Sequence, residues 1–447
     1  MDSIASKSKI PQTGQKTALY PLLAVNFVGT LGLGIVLPFL VFLVTGFGGN
    51  ALIYGIFGAT YSAFQMLGAP ILGKWSDRFG RRKILLLSHL GTLFSWMIFY
   101  LAFFLPTGNL LTVESDFFGT FSLTIPLLVL FLARVFDGLT GGNVSVANAY
   151  LADITDESKR SVNFGRMAIS SNLGYIIGPA LAGLLGTTIM GEKLPVLAAI
   201  FISIITTIII VYLLPEYRPR PLSENPEPMN VRKIIAQEQK ECFKLECREK
   251  ITFRDVLGLS PINFLLIIYF FVFLGFNFFY IAFPVHAVAV LNWNLSETGL
   301  FFSFLSIAMV LIQGPVLGAL AKKWTDPVLI FAGSSILAVS FLFYVSPNSW
   351  MVYSGAVVLA IGNGIMWPSL LSVISKSAPE KFQGAIQGYC GSLGSAASII
   401  GLLTGGLLYT QIGTGIFVLS TLVIGIIFIL SFRLLKVPGY SLSDKQA

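Results

Sequence analysis

Long, nearly uncharged apolar segments recur along the whole chain, and they decide the solvent in which it folds. They fall at about 18–45, 52–73, 83–105, 122–152, 163–188, 194–214, 261–290, 297–321, 327–346, 349–375, 381–410 and 413–436. A helix of about 20 residues crosses a hydrocarbon core. With no water there to satisfy backbone groups, a crossing segment must be a helix or part of a closed barrel. The apolar runs are continuous rather than alternating over roughly 10 residues, which excludes a barrel. Only 11% of the 447 residues are charged, against roughly 25% in a soluble domain. The expected fold class is an all-α membrane protein with twelve transmembrane helices.

The stretch from Met1 to Thr17 is polar, and the apolar run Ala18 to Val44 is too long for the core of a cleaved leader, about 7–15 residues. It reads as an uncleaved first span. The net charge of +8 matters by location, not as a sign of nucleic-acid binding. If the chain starts in the cytoplasm, every one of the 29 Lys and Arg residues except Lys193 and Arg134 lies on the cytoplasmic side. That bias orients helical membrane proteins, so both termini are expected in the cytoplasm of a cell whose plasma (inner) membrane holds the protein. Cys242, Cys247 and Cys390 form no disulfide framework or metal-ligand spacing, and the only histidines are His89 and His286. No cofactor or metal is expected. His286 reads as an interfacial residue of the seventh span and His89 as a packed or cavity-facing residue of the third.

The longest polar stretch divides six segments from six. The organisation read from it is a tail at 1–17, a six-helix bundle at 18–215, a linker at 216–258, a second bundle at 259–436 and a tail at 437–447. The bundles repeat. Gly165 stands in register with Gly388, Ile176 to Gly178 with Ile399 to Gly401, and Gly183 with Gly406. These residues lie on the fifth and eleventh spans, which run the same way, so the repeat is parallel. Alternating-access transporters use such halves, with the substrate site between them near the midplane. A monomer suffices, because one chain carries both halves.

After the second span comes Gly73-Lys-Trp-Ser-Asp77-Arg78-Phe-Gly80-Arg81-Arg82-Lys83. Gly80 suits a tight turn, and Asp77 can anchor the surrounding cations against helix ends. Here the chain resembles the major facilitator superfamily, whose signature in this loop is G-x-x-x-D-R-x-G-R-R-K. The resemblance implies two parallel-repeat six-helix bundles. It also implies a cytoplasmic gate that latches the halves when they face outward, with Asp153 as the partner of Arg81. The corresponding loop of the second half, Gly318 to Lys323, has no acid, which leaves a latch there without its anion.

Arg134 and Asp137 fall near the middle of the fourth span. Ionisable groups at that depth are costly and usually functional. Three residues apart, they share a helix face. The two readings are a mutually neutralised structural pair and a proton-coupling site in which a substrate cation competes for Asp137. Their register partners, Val357 and Ala360, are apolar, so this chemistry belongs to the first half. The superfamily's pattern on this span is R-x-x-Q-G-x-G, and Asp137 stands where Gln is usual.

Gly165, Gly174, Gly178, Pro179 and Gly183 punctuate the fifth span. Glycines four apart allow close helix packing, and Pro disturbs the helix. The pattern resembles the antiporter motif of the superfamily's drug:proton exporters. It implies packing of the fifth span on the eighth. Gly141-Gly142-Asn143 through Thr155, and Asn26 to Pro38, resemble the tetracycline-exporter branch. Asn26, Gln65, Asn172, Asn277, Gln313, Asn363, Trp367 and Gln387 are candidates to line a cavity for a small amphipathic substrate, interhelical hydrogen bonding being the alternative for each.

These features favour proton-driven export of amphipathic small molecules or drugs, tetracycline-like compounds among them by resemblance. An importer of a small nutrient on the same fold is the alternative, and a non-transporting receptor a more distant one. Enzyme chemistry has no footing: there is no nucleophile–base pair, metal cluster or phosphate-cradling loop.

Overall fold

The computed structural model describes residues 12–141, 143–155, 160–217, 261–377 and 383–435. Nearly all of the expected linker and the C-terminal tail, with Cys242 and Cys247, lie outside these residues, as does Gly142. The helices of the first half are α1 (Gln12–Gly46), α2 (Ala51–Phe79), α3 (Arg81–Ala102), α4 (Ile125–Ile154), α5 (Arg160–Gly186) and α6 (Lys193–Leu213). Those of the second are α7 (Ile262–Ala289), α8 (Leu295–Leu320), α9 (Asp326–Val345), α10 (Ser349–Ser377), α11 (Gln383–Ile412) and α12 (Gly415–Leu434). Each apolar segment read from the sequence coincides with helical chain. Among the described residues, 10 helices are long and apolar enough to cross a membrane.

Two expectations about boundaries are corrected. The segment read as starting at 122 begins with strand. β1 (Asn109–Ser115) and β2 (Gly119–Thr124) form an antiparallel hairpin between α3 and α4, with Thr112 opposite Ser122. The Thr124 hydroxyl accepts from Leu127 N and starts α4. Second, Gly73 to Phe79 is the last part of α2, not a loop. Only Gly80 separates α2 from α3, at φ +106°, a conformation that favours glycine.

α1 packs on α5 and α6, α2 on α4, and α3 on α4 and α6; in the second half α9 packs on α10 and α12, and α7 on α11 and α12. Across the halves α2 meets α11 and α5 meets α8. The two ends of the molecule differ. At the end bearing the hairpin, glycines let backbones touch: a Cβ on Gly183 would lie 3.0 Å from Ser296 O, and one on Gly406 would meet Gly55 Cα at 3.1 Å. At the end where α1 begins and α12 ends, the terminal end, Gly73, Gly165, Gly318 and Gly391 have nothing within 4 Å of a Cβ. These four lie on the same four helices. The halves therefore close at the hairpin end and part toward the terminal end. Gln411 of α11 adds to the closure, donating to the Asp116 carbonyl at 2.9 Å and to that of Phe117 at the hairpin tip.

Candidate functional site

At the terminal end Ser76 and Asp77 of α2 and Asp153 of α4 converge on one cation. Arg81, the first residue of α3, is 6% exposed. Its Nε donates to Asp153 Oδ2 at 2.7 Å, and its Nη1 lies 2.5 Å from Asp77 Oδ1 and 2.6 Å from Ser76 Oγ. Arg81 N donates to Tyr217 O at 2.8 Å. Arg82 donates from Nε to Ile210 O at 3.0 Å, and its backbone N–H to Glu216 Oε1 at 3.2 Å, fastening the end of α6. Arg78 instead lies over the Phe79 ring, 5.4 Å from its centroid. All of these contacts stay within the first half.

The second half holds a counterpart that the sequence reading missed. The acid absent between Gly318 and Lys323 stands further on, at Asp326, the first residue of α9. Asp326 Oδ2 accepts from Lys376 Nζ at 2.6 Å and from Ser372 Oγ at 2.9 Å. In the register of the repeat, Lys376 corresponds to Asp153. Both pairs join the first residue of a half's third helix to the end of its fourth, with the charges exchanged.

Deep in the first half, Arg134 Nη1 lies 3.3 Å from Asp137 Oδ2, both side chains being below a tenth exposed. The guanidinium stands over the Tyr61 ring at 5.1 Å and near that of Phe99 at 6.0 Å, the attraction of a cation to a ring face. Arg134 Nε has no hydrogen-bond partner. Thr92 stands beside Asp137 in the wall of a cavity. Asp137 faces that cavity of about 20 Å³, whose walls include Gly32 of α1, Tyr61 of α2, His89, Thr92 and Trp96 of α3, and Ser203 and Thr206 of α6. These helices all belong to one half, so the carboxyl points into that bundle rather than between the halves. Asp137 is 5% exposed in this conformation.

α4 breaks four residues after Asp137, and Gln65 repairs the break by donating to Gly141 O at 2.9 Å. Gln65 also bonds the Tyr61 hydroxyl at 3.0 Å. Asn26 fastens α1 to α5 through Met167 O at 3.1 Å and Ser171 Oγ at 2.7 Å. Asn277 fastens α7 to α11 through Ser398 Oγ at 3.1 Å. These three hold helices together. Asn363 Nδ2 lies 3.8 Å from Met309 Sδ. Trp367 packs against Tyr269 at 5.3 Å and Phe273 at 5.5 Å. Gln313 sits half-buried in a π-helical turn, Ile312–Val316, within α8, a local widening common at functional sites. Asn172 is exposed; spaced with Tyr175, Pro179 and Gly183, it shares the α5 face that meets α8 and stands where the halves have parted. The side chain of Gln387 lies outside the described residues.

The glycines of α5 divide between two partners. A Cβ on Gly174 would meet Leu31 N at 2.7 Å, and one on Gly178 would meet Gly34 Cα at 2.7 Å, both on α1. Gly183 instead meets Ser296 and Gly299 of α8, and Gly165 meets nothing. His286, expected at the interface, is fully buried with its ring edge-on to Phe417 at 5.4 Å. α12 covers the end of α7 that sequence hydropathy places near headgroups.

A helical membrane protein with two repeated halves, closed at one end and parted at the other, has the architecture of a membrane transporter. The chain belongs to the Major Facilitator Superfamily, whose sequence profile matches residues 22–388 and 265–446. It is 29% identical over 393 residues to the class D tetracycline resistance protein of Salmonella ordonez, covering 87% of this chain and 89% of that one. It is 24% identical over 401 residues to multidrug resistance protein 2 of Bacillus subtilis, covering 88% and 89%. Among solved structures, the human organic anion transporter MFSD10 (TETRAN) superposes with TM-score 0.65 at 18% identity, over 94% of this chain and 100% of that one. A peptide transporter, POT, gives 0.67 at 15% identity over 96% and 98%. The protein is thus a multi-pass membrane transporter of small substrates with the major facilitator fold.

Proposed function

We propose that this transporter exports amphipathic small molecules, tetracycline-like drugs among them, in exchange for protons. The observation that carries the reading is the Arg134–Asp137 pair, buried in the membrane interior beside a cavity at 3.3 Å separation. A carboxyl held there can exist as a neutral acid or as a carboxylate paired with Arg134, and the two forms bias the bundle differently. Relatives at 24–29% identity that are named for tetracycline and multidrug resistance support export and this substrate class. The Lys and Arg bias supports placing the terminal end in the cytoplasm, which makes the conformation described here inward-facing. In this reading residues 18–215 and 259–436 rock against each other, the monomer is the working unit, and substrate enters where Asn172 and Gln313 line the opening. Arg81, with Asp77 and Asp153, forms the gate at that end. Arg78, Gly80 and Arg82 shape it. Gly165 to Gly183 limits leak at the α5–α8 contact.

The test is proton flux in proteoliposomes carrying a pH gradient, challenged with amphipathic drugs including a tetracycline. Substrate-triggered collapse in the wild type and none in Asp137→Asn is the expected result. Collapse in both moves the proton site elsewhere. No collapse with any compound favours import on the same fold, tested next by downhill uptake of nutrients.

A further inference from the structure

The strongest unassigned feature is a polar stripe on α3. His89, Thr92 and Trp96 are spaced by three and four, so they share one helix face, and all three line the cavity into which Asp137 points. His89 is 3% exposed and borders the same cavity. Buried polar groups are satisfied by protein or by ordered water. The cavity, about 20 Å³, exceeds the roughly 10–15 Å³ that one water needs.

Direction comes from the helix axis. α3 starts at the terminal end with Arg81 and finishes at the hairpin end with Ala102. His89 therefore lies about 4.5 Å nearer the terminal end than Thr92, at 1.5 Å per residue. Trp96, on the other side of Asp137, packs with Phe39 and Phe99, and beyond His89 Ile84 and Leu85 of α3 belong to an apolar cluster with Val146 and Tyr150. The charged and titratable groups facing His89 are few. α4 contributes Asp137 with its partner Arg134, and α2 contributes Tyr61. α6 presents Ser203 and Thr206, and α1 presents Val28, Gly29 and Gly32.

We propose that His89 is the second proton station of this transporter, exchanging the proton with Asp137 across the cavity that both line. The inference rests on the proton-coupled reading above. The Asp137 acid gives its proton to the cavity water, and that water gives one to an imidazole nitrogen. His89 then stands as the imidazolium and Asp137 as a carboxylate paired with Arg134, and the reverse transfer through the same water restores the acid. Nothing is consumed, and imidazole is suited to the step because it accepts at one nitrogen and donates from the other. Both stations lie inside the first bundle.

Three proteins are compared in proteoliposomes: wild type, His89→Gln and Asp137→Asn. Each is assayed for proton-driven substrate flux across a pH series and for substrate counterflow without a gradient, which needs no net proton release. His89→Gln is expected to slow proton-driven flux by about 10-fold, the low end of what a positioned acid–base group contributes, and to flatten its pH profile while counterflow is unchanged. A wild-type profile in His89→Gln, with coupling lost in Asp137→Asn, overturns the role of His89 and leaves the proton site standing. Normal coupling in Asp137→Asn overturns both. If His89→Gln does not fold, the ring is observed directly. With 2 histidines in the chain, His286→Gln leaves a single imidazole for isotope-labelled NMR. The His89 signal is expected to titrate and to move with Asp137→Asn; a signal indifferent to both overturns the relay.

Discussion

Arg134 and Asp137 make the residue-scale problem concrete. Two opposite charges are held out of water with one contact of 3.3 Å, and Arg134 Nε is unpaired. Desolvation of such a pair commonly outweighs its attraction, whereas removing one partner leaves an uncompensated charge and costs about 3–5 kcal/mol. Arg134→Ala and Asp137→Ala should each destabilise by roughly that amount. The double variant Arg134→Met with Asp137→Leu should recover most of the loss, and thermal unfolding in detergent measures it. If proton-driven flux stays absent in the stable double variant, the pair is retained for coupling and not for the fold. The sequence shows the pair plainly, because two charges interrupt an apolar run. It does not show which bundle surface Asp137 faces. That depends on how α4 is rotated against α3 and α6, a packing property no local spacing encodes. Asn26, Gln65 and Asn277 were ambiguous for the same reason, and in each the structure finds an interhelical bond.

Between elements, small residues set the contacts and end charges set the gates. The spacing of Gly174, Gly178, Pro179 and Gly183 is legible as a packing face, but not that it turns from α1 to α8 within three helical turns. A Cβ on Gly299 would lie 2.5 Å from Pro179 O, an overpacking worth about 1–3 kcal/mol. Gly299→Ala should therefore loosen the closed end and raise passive proton leak in liposomes without substrate. The inverted ion pairs carry a sharper expectation. Lys376 is 57% exposed in its side chain, so the Asp326–Lys376 bond adds little to stability, as exposed pairs do. Its effect should be on conformation. Asp326→Lys is expected to lower transport, and adding Lys376→Asp to restore it, because the exchanged pair reproduces the charge order of Arg81 and Asp153. Failure of the double variant to recover would show that the orientation of the charges matters. Asp326 does not stand out in the sequence, since a gate built with the opposite sign has no reason to keep the first-half signature.

At the scale of the molecule, the fold was legible because lipid leaves few alternatives: long apolar segments must be helices, and a parallel repeat must form two like halves. The hairpin was not legible. Its strands are short, exposed and only weakly alternating, and they lie outside the bilayer constraint that made the helices certain. Yet Asn109–Thr124, carried by the first half, reaches α11 of the second through Gln411, which donates to Asp116 O and Phe117 O. Asn50, at the start of α2, holds the same tip by donating to Phe118 O at 2.9 Å. The strap exists only while the hairpin end is closed, so it biases the equilibrium between the two facing states. Two exposed hydrogen bonds contribute about 0.5–1.5 kcal/mol each, and a shift of 1.4 kcal/mol changes a population ratio about tenfold. Gln411→Ala should then raise the ratio of open to closed molecules at the hairpin end by roughly 5- to 150-fold. Spin labels placed on Asn109 and on Gly413 would read the change as a longer distance between them, and thermal stability should hardly move. An unchanged distance distribution would mean that the α2–α11 and α5–α8 glycine contacts alone hold that end shut.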